Sequence, residues 1–230
     1  MPITMSAPLT MTIDGPSAVG KNTIGILLAK HFGYRFLDTG AMYRALTWEA
    51  LQRGIGLEDE EALTGLANET EITLMSSTSD DGHCPVLVNG VDVTAETRRD
   101  DVEKGVSLVS KVAGVRKALV AKQRQLAREG KIVMAGRDIG TVVLPDAEMK
   151  IYLSASPEQR ARRRYLELLR KNQFADYDRV LADLTRRDKI DSERAHAPLK
   201  PATDAHIVDT DGFSIDQVLA KVLHIIEAGR

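Results

Sequence analysis

Residues 15–23 have the composition and spacing of a loop that binds phosphate groups. The run consists of Gly15, Pro16, Ser17, Ala18, Val19, Gly20, Lys21, Asn22 and Thr23. Glycines let backbone N–H groups converge on phosphate oxygens, and the N-terminus of a following helix adds the positive end of its dipole. A lysine at the position of Lys21 reaches the β and γ phosphates of a nucleoside triphosphate. We therefore predict that this run binds ATP, in preference to forming a glycine-rich turn without a ligand.

The loop departs from the usual pattern directly after its lysine. The expected serine or threonine is Asn22 here, and the hydroxyl group arrives one residue later, at Thr23. We predict that Thr23 lies beside the phosphates and helps to bind Mg²⁺ through them. The five histidines never lie at ligand spacing from a second histidine or a cysteine, since His83 is merely adjacent to Cys84. A zinc site is therefore not expected.

Arginines are frequent outside the loop, as transfer of a phosphoryl group to an anionic acceptor requires. Such an acceptor needs no strong general base, because the obstacle is repulsion between two polyanions and concentrated positive charge lowers it. Arg44 lies in the first turns of a predicted helix, close to Thr39 and Tyr43. We predict that Arg44 binds the acceptor phosphate in a pocket shaped by Thr39 and Tyr43. The alternative is an ordinary surface arginine and a threonine that caps the helix.

The elements that must position these residues alternate between strands and helices. Short apolar runs predict strands at residues 9–14, 35–37, 131–135, 149–153 and 206–208. Helical spacing predicts helices at residues 21–33, 41–51, a long stretch that ends at 128, 156–194 and 215–227, with a loop at 136–146. This alternation predicts an α/β fold with a parallel sheet that is covered by helices on both faces.

A small antiparallel element interrupts this alternation. Strands are predicted at residues 71–75 and 85–94, with a polar turn at 76–82 between them. The pair Asn89-Gly90 lies between two short apolar runs, which is a strong hairpin signal. We therefore predict a separate, substrate-facing insert of roughly residues 60–105.

Two further runs carry a resemblance to a known family. Leu-Asp-Thr-Gly-Ala-Met-Tyr-Arg at residues 37–44 and Ala-Gly-Arg-Asp-Ile-Gly-Thr-Val-Val at residues 135–143 resemble motifs of the bacterial cytidylate (CMP/dCMP) kinases, which are P-loop nucleoside monophosphate kinases. The similarity extends from about residue 12 to the C-terminus. It implies a P-loop NTPase-type parallel sheet, a small β-containing insert that binds the monophosphate, and a short helical lid. Residues 1–59 and 106–230 would form the core, residues 60–105 the insert, and residues 157–176 the lid.

The resemblance also implies a role for individual residues. Ser107, Arg116 and Asp138 would contact cytosine, Arg44, Arg137 and Arg194 the acceptor phosphate, and Arg187 and Asp191 the sugar. Lys21, Arg137, Arg187 and Arg194 would be catalytic, and Arg163, in the arginine cluster at residues 160–164, would contact ATP. Two structural alternatives remain: a buried ion pair between Asp138 and Arg116, and a surface salt-bridge ladder along residues 187, 191 and 194.

The function implied is Mg²⁺-dependent transfer from ATP to CMP or dCMP. A kinase for another acceptor, such as UMP, AMP or a small hydroxylated metabolite, remains open, as does a nucleotide-binding module without turnover. The net charge of −2 does not favour binding of nucleic acid. The first nine residues lack the pattern of a signal peptide, no apolar run approaches the ~20 residues of a membrane span, and Cys84 is a single cysteine. We expect a cytoplasmic monomer.

Overall fold

The computed structural model of the chain describes residues 9–75 and 84–228. In chain order the elements are β1 (Thr10–Asp14), α1 (Lys21–Phe32), β2 (Arg35–Asp38), α2 (Thr39–Gln52), α3 (Glu60–Glu69), β3 (Ile72–Leu74), β4 (Val86–Val88), β5 (Val91–Asp92), α4 (Asp100–Lys111), α5 (Ala113–Ala127), β6 (Ile132–Gly136), β7 (Met149–Ser154), α6 (Pro157–Arg170), α7 (Tyr177–Glu193), β8 (His206–Asp209) and α8 (Ile215–Ala228). A 3₁₀ turn, Glu96–Arg98, precedes α4, and a π-helical turn, Ile139–Val143, follows β6. None of these described helices is long and apolar enough to cross a membrane. The turn predicted at residues 76–82 and residue His83 lie outside the described residues.

The main sheet contains five parallel strands in the order β2-β6-β1-β7-β8. Successive side chains of a strand point to opposite faces of a sheet, and β6 shows what covers each face. Ile132 and Met134 belong to an apolar core with α2, α4 and α5. Val133 and Ala135 belong to a second core with α1 and α8. The predicted parallel sheet with helices on both faces is thereby confirmed.

A second sheet, antiparallel and of order β3-β4-β5, contains the predicted hairpin. Asn89 and Gly90 have φ values of 50° and 82°, as the two central residues of a type I′ turn require. Val86 and Val88 of β4 pack in the same apolar core as Leu46 of α2. The small sheet is therefore joined to the main sheet by a continuous core, and residue 105, the end of the predicted insert, lies inside α4.

The long helix predicted up to residue 128 is wrong, because it is two helices. Val112, between α4 and α5, has an extended backbone with φ −67° and ψ 120° and is buried. Beyond it, α5 packs so closely on α3 that a Cβ at Gly114 would lie 2.1 Å from Oγ1 of Thr64. The break thus lies beside a contact between distant parts of the chain, which helical periodicity does not reveal.

The single helical stretch predicted from residue 156 to residue 194 is also wrong. Asn172 has φ 56°, and the N–H groups of Asn172 and Gln173 each bond to a carbonyl of the last turn of α6 at 3.0 Å. This is a Schellman motif, which ends a helix at a residue that tolerates the left-handed region. Asp176 then starts α7 by accepting a hydrogen bond from the N–H of Arg179 at 2.8 Å.

The predicted loop at residues 136–146 contains the π-helical turn. The N–H of Leu144 donates to the carbonyl of Ile139 at 2.7 Å, five residues back. The N–H groups of Ile139 and Gly140 donate to the carboxylate of Asp14 at 2.8 and 2.7 Å. The carboxylate at the end of β1 thus organises this turn, and local sequence gave no sign of it.

Candidate active site

A cleft of about 710 Å³ opens where β1, β2 and β6 end at their carboxyl termini. Ligands of parallel α/β sheets bind at this edge. The predicted site residues that line the cleft are Ser17, Ala18, Val19, Gly20, Lys21, Asn22, Thr23, Thr39, Tyr43, Arg44, Ser107, Arg116, Arg137, Asp138, Arg163, Arg187, Asp191 and Arg194. Gly15 and Pro16 begin the phosphate loop behind them. Tertiary structure therefore brings together residues that are spread from the first strand to the end of α7.

The phosphate loop has the backbone of an anion cradle. Gly15, Ala18 and Gly20 have positive φ values of 147°, 59° and 101°. A Cβ at Gly15 would lie 2.3 Å from the carbonyl oxygen of Leu153, so only glycine fits there. No described side chain caps the N-terminus of α1, which leaves its first N–H groups directed towards the loop. The loop therefore fits the phosphates of a nucleotide.

Lys21 lies buried at the base of this cradle. Its Nζ donates to the carbonyl of Pro16 at 2.6 Å. Burial lowers the pKa of Lys21 well below its ordinary value, and repulsion from Arg137 adds to that effect, although Asp38 and Asp14 oppose it. The ammonium group thus lacks sufficient counter-charge within the protein. A polyphosphate would supply it.

Asp38, at the junction of β2 and α2, organises the motif at residues 37–44. It accepts a hydrogen bond from the N–H of Gly40 at 3.0 Å, so Asp38 and not Thr39 caps α2. Thr39 instead donates to the carbonyl of Ala135 at 2.9 Å. Arg44 donates to Asp38 at 2.8 Å, and its side chain is 15% exposed. The alternative of a surface arginine and a capping threonine is therefore wrong.

The three residues predicted to read the base lie together. Arg116 and Asp138 form a buried ion pair, and Ser107 is buried in the same wall of the cleft. The Arg116 guanidinium also lies 5.6 Å from the ring centroid of Tyr43. Burial raises the pKa of Tyr43 to about 12, so its hydroxyl stays protonated. The ion pair and the predicted base-reading role are compatible, because both side chains line the cleft.

The arginine directly after β6 and an arginine of α7 are held by acids from other elements. Arg137 donates to Asp191 at 2.9 Å and to Oγ of Ser17 at 2.6 Å. Arg187 donates to Glu103 of α4 at 2.8 Å. A ladder of ion pairs along α7 is therefore not formed, because Arg187 and Asp191 pair with different elements.

Arg194 departs from the predicted helical face. It follows Glu193, the last residue of α7, and has an extended backbone with φ −62° and ψ 140°. Its Nε donates to the carbonyl of Ala197 at 2.6 Å, and one terminal nitrogen lies 3.7 Å from Asp138. The end of the helix therefore turns Arg194 towards the ion pair of Arg116 and Asp138.

Several buried arginine atoms have no hydrogen-bond partner among the described residues. They are Nε of Arg44, Nε of Arg187 and one terminal nitrogen of Arg194. All three side chains line the cleft. Buried donors are normally satisfied in folded proteins, so this arrangement suits an anionic ligand that supplies oxygen atoms.

The arginines of the predicted lid contact different parts of the protein. Arg160 is buried and pairs with Asp188 at 2.7 Å, which fixes α6 to α7. Arg163 donates to the carbonyl of Thr210 at 2.6 Å and to that of Val19 at 3.3 Å, so it lies against the phosphate loop. Arg164 pairs with Glu167 one turn away at 3.0 Å. Arg163 thus joins the predicted lid to the phosphate loop.

Three acidic residues of the site were not assigned roles from the sequence. Asp38 holds Arg44, Glu103 holds Arg187, and Asp14 holds the turn after Asp138. Glu103 lies in the first turn of α4, where an acid is ordinarily explained by the helix dipole. Asp14 directly precedes the phosphate loop, and this position is the only signal that could have drawn attention to it.

The buried Asp14 carboxyl predicts a pH-dependent stability. Burial raises its pKa from 3.8 to about 6, although the two N–H donors oppose the rise. The folded protein therefore holds the proton more tightly than the unfolded chain does. The contribution of this group to the free energy of unfolding is present below about pH 4 and is lost as the pH rises to about 6, on the order of 3 kcal/mol.

This expectation is checked by urea unfolding of the wild type and Asp14→Asn between about pH 4 and about pH 7. The free energy of the wild type minus that of the variant should fall with rising pH. Acids whose pKa is lowered, such as Asp38 and Glu103, act in the opposite direction but in both proteins, so they cancel. A difference that stays level or rises with pH would contradict the raised pKa of Asp14.

A phosphate loop that follows the central strand, opposite a wall of arginines, assigns the molecule to the P-loop kinases. The family model described as cytidylate kinase matches residues 11–228. The chain belongs to the cytidylate kinase family.

Individual relatives agree with this assignment. A cytidylate kinase of Bacillus velezensis is 49% identical, over 97% of this chain and 98% of that protein. A cytidylate kinase of Bacillus subtilis is 46% identical, also over 97% of this chain and 98% of that protein. Among solved structures, an uncharacterized protein from Eubacterium ventriosum has a TM-score of 0.50 at 11% identity, covering 95% of this chain and 98% of that one. At that identity the last comparison concerns the fold alone.

Proposed function

We propose that this chain transfers the γ-phosphoryl group of ATP to CMP or dCMP, giving ADP and CDP or dCDP. The observation that carries this proposal is the placement of Asp138, a base-reading carboxylate, in the same cleft as the phosphate loop and the acceptor arginines. Family membership supports the same reaction.

Donor binding falls to residues 15–23 and Arg163. Backbone N–H groups of the loop hold the phosphates, and Lys21 offsets negative charge on the γ-phosphoryl group during its transfer. The Thr23 hydroxyl, which is exposed on the cleft, is the kind of hard oxygen ligand that suits Mg²⁺. Mg²⁺ would neutralise charge on the phosphates, and the chain would hold it chiefly through them.

The acceptor phosphate is bound by Arg44, Arg137 and Arg194, and the sugar is bound by Arg187. The unsatisfied N–H groups of Arg44, Arg187 and Arg194 would donate to phosphate and sugar oxygens. An oxygen of the acceptor phosphate is already a nucleophile, so in-line displacement proceeds without a covalent intermediate and without a strong general base. The arginines supply the positive charge that lets two polyanions approach.

Choice of base falls to Asp138, supported by Arg116 and Ser107. Cytosine carries an exocyclic amino group that donates to a carboxylate, whereas uracil carries a carbonyl oxygen that a carboxylate repels. The ion pair with Arg116 holds the carboxylate in place. We therefore expect a preference for CMP and dCMP over UMP.

An ADP-release assay with ATP and Mg²⁺ tests the proposal on CMP, dCMP, UMP, AMP, GMP and dTMP. We expect kcat/KM for CMP and dCMP to exceed that for UMP by about 10²-fold or more, since the carbonyl oxygen of uracil would face the Asp138 carboxylate where cytosine donates a hydrogen bond. Fast turnover of another monophosphate would overturn the base assignment. ATP binding without turnover of any acceptor would favour a non-catalytic module. We propose that the protein acts as a monomer in the cytoplasm.

A further inference from the structure

Asn22, where the phosphate loop departs from the usual pattern, directs its side chain towards the acceptor half of the cleft. Its Nδ2 donates to Oδ2 of Asp38 at 2.9 Å. Asn22 lies in the first turn of α1 directly after Lys21, whereas Asp38 is the last residue of β2. This hydrogen bond therefore joins the donor loop to the strand end at which the acceptor pocket begins.

The carboxylate of Asp38 is fixed by three donors. Asn22 and the guanidinium of Arg44 share Oδ2, at 2.9 and 2.8 Å, and the N–H of Gly40 donates to Oδ1 at 3.0 Å. Arg44 also lies 3.8 Å from Glu103. The position of the Arg44 guanidinium thus depends on the orientation of Asp38, and Asn22 is one of the groups that set this orientation.

The charge of Asp38 explains why an amide suits position 22. Burial acts to raise the pKa of Asp38, but Arg44 and the Asn22 amide outweigh burial and hold that pKa below its ordinary value. A neutral donor therefore meets a carboxylate. An aspartate at position 22 would repel it, a serine hydroxyl would end one bond short of Nδ2, and a glycine would offer no donor.

We propose that Asn22 is a positioning residue for the acceptor: by holding Asp38 it places Arg44 against the acceptor phosphate. A side chain of the donor loop thereby sets the affinity for the second substrate. The inference rests on the proposed function, because it requires a phosphate-bearing acceptor at Arg44. Asn22 itself need not touch the transferred group through its side chain.

Steady-state kinetics of Asn22→Ala and Asn22→Ser test this role. We expect the KM for CMP to rise about 5- to 20-fold in both, because a hydrogen bond to a charged group is lost. The KM for ATP should change less than about twofold, since backbone N–H groups hold its phosphates. Asn22→Asp should raise the KM for CMP further. Asn68→Ala, which removes an exposed amide bonded to the Thr64 carbonyl at 3.0 Å, is the matched control and should leave both values unchanged.

A double variant separates positioning from a general effect on the loop. If Asn22 acts through Arg44, adding Asn22→Ala to Arg44→Met should raise the KM for CMP no further than Arg44→Met does alone. A residue that only stabilises the loop would add its own effect in either background. Thermal unfolding identifies any variant that is not folded, and Asn22→Ser, with its smaller change in polarity, serves where Asn22→Ala fails.

The opposing results are distinct from failure of the proposed function. An unchanged KM for CMP, or an equal rise in the KM for both substrates, would overturn the role of Asn22. Failure of the proposed function would appear in the wild type itself, as absent turnover of every monophosphate. In that event binding of CMP is compared by calorimetry, and equal affinity of the wild type and Asn22→Ala would overturn the inference.

Discussion

Lys21→Met is expected to lower kcat by about 10³-fold, because it removes the buried charge aimed at the transferring phosphoryl group. The fold should survive the change. Burial lowers the pKa of Lys21, which means that the charged form is disfavoured in the folded protein, and methionine removes this cost while keeping most of the length of the side chain. We therefore expect the melting temperature to be equal to that of the wild type or higher.

Lys117→Met is the matched control for this variant. Lys117 is exposed on α5, next to Arg116 in sequence but outside the lining of the cleft. Its removal should leave kcat within about twofold of the wild type, as for most surface substitutions. If Lys21→Met retained more than about a tenth of the wild-type rate, the charge would not act on the transition state. A melting temperature well below that of the wild type would contradict the burial cost.

Asp138→Asn is expected to weaken the preference for CMP over UMP. The amide can donate to the carbonyl oxygen of uracil, which the carboxylate repels, so kcat/KM for UMP should rise relative to that for CMP. We expect the ratio of kcat/KM for CMP to kcat/KM for UMP to fall at least about tenfold. Because both substrates are measured on one variant, the ratio is independent of the fraction of protein that is folded.

The same variant addresses the structural role of Asp138. Arg116 is buried beside it, and a buried charge that loses its partner destabilises a protein by about 3–5 kcal/mol, less where an amide still accepts a hydrogen bond. The control is Asp146→Asn, which changes an exposed acid in the same segment between β6 and β7. It should change neither the preference for CMP over UMP nor the stability. Loss of stability with an unchanged ratio would mean that Asp138 serves only as the partner of Arg116.

Local chemistry made the donor half of the site predictable. The positive φ values of Gly15 and Gly20, and the type I′ turn at Asn89 and Gly90, depend on which residues tolerate such a backbone. The alternation of apolar runs with helical segments gave the parallel sheet for the same reason, since each element carries its own period. The Schellman motif at Asn172 is local as well, and its residues were available as a signal, although the helical periodicity on either side concealed it.

The contacts of the acceptor half were decided by tertiary structure. Spacing suggested that Arg187 and Asp191 form a ladder on α7, yet Arg187 pairs with Glu103, 84 positions away, and Asp191 pairs with Arg137, 54 positions away. Asp14 holds the N–H groups of Ile139 and Gly140, more than a hundred positions away.

The sequence by itself thus determined the phosphate loop, the parallel sheet, the hairpin and, through family motifs, the residues that meet in the cleft. Only the folded chain decided which acid holds which arginine and that the helix breaks at Val112. The physical reason is that a charged side chain can pair with any opposite charge within reach. Which one is within reach depends on how the strands order in the sheet and how α4 and α7 pack beside it, and no spacing along one element contains that information.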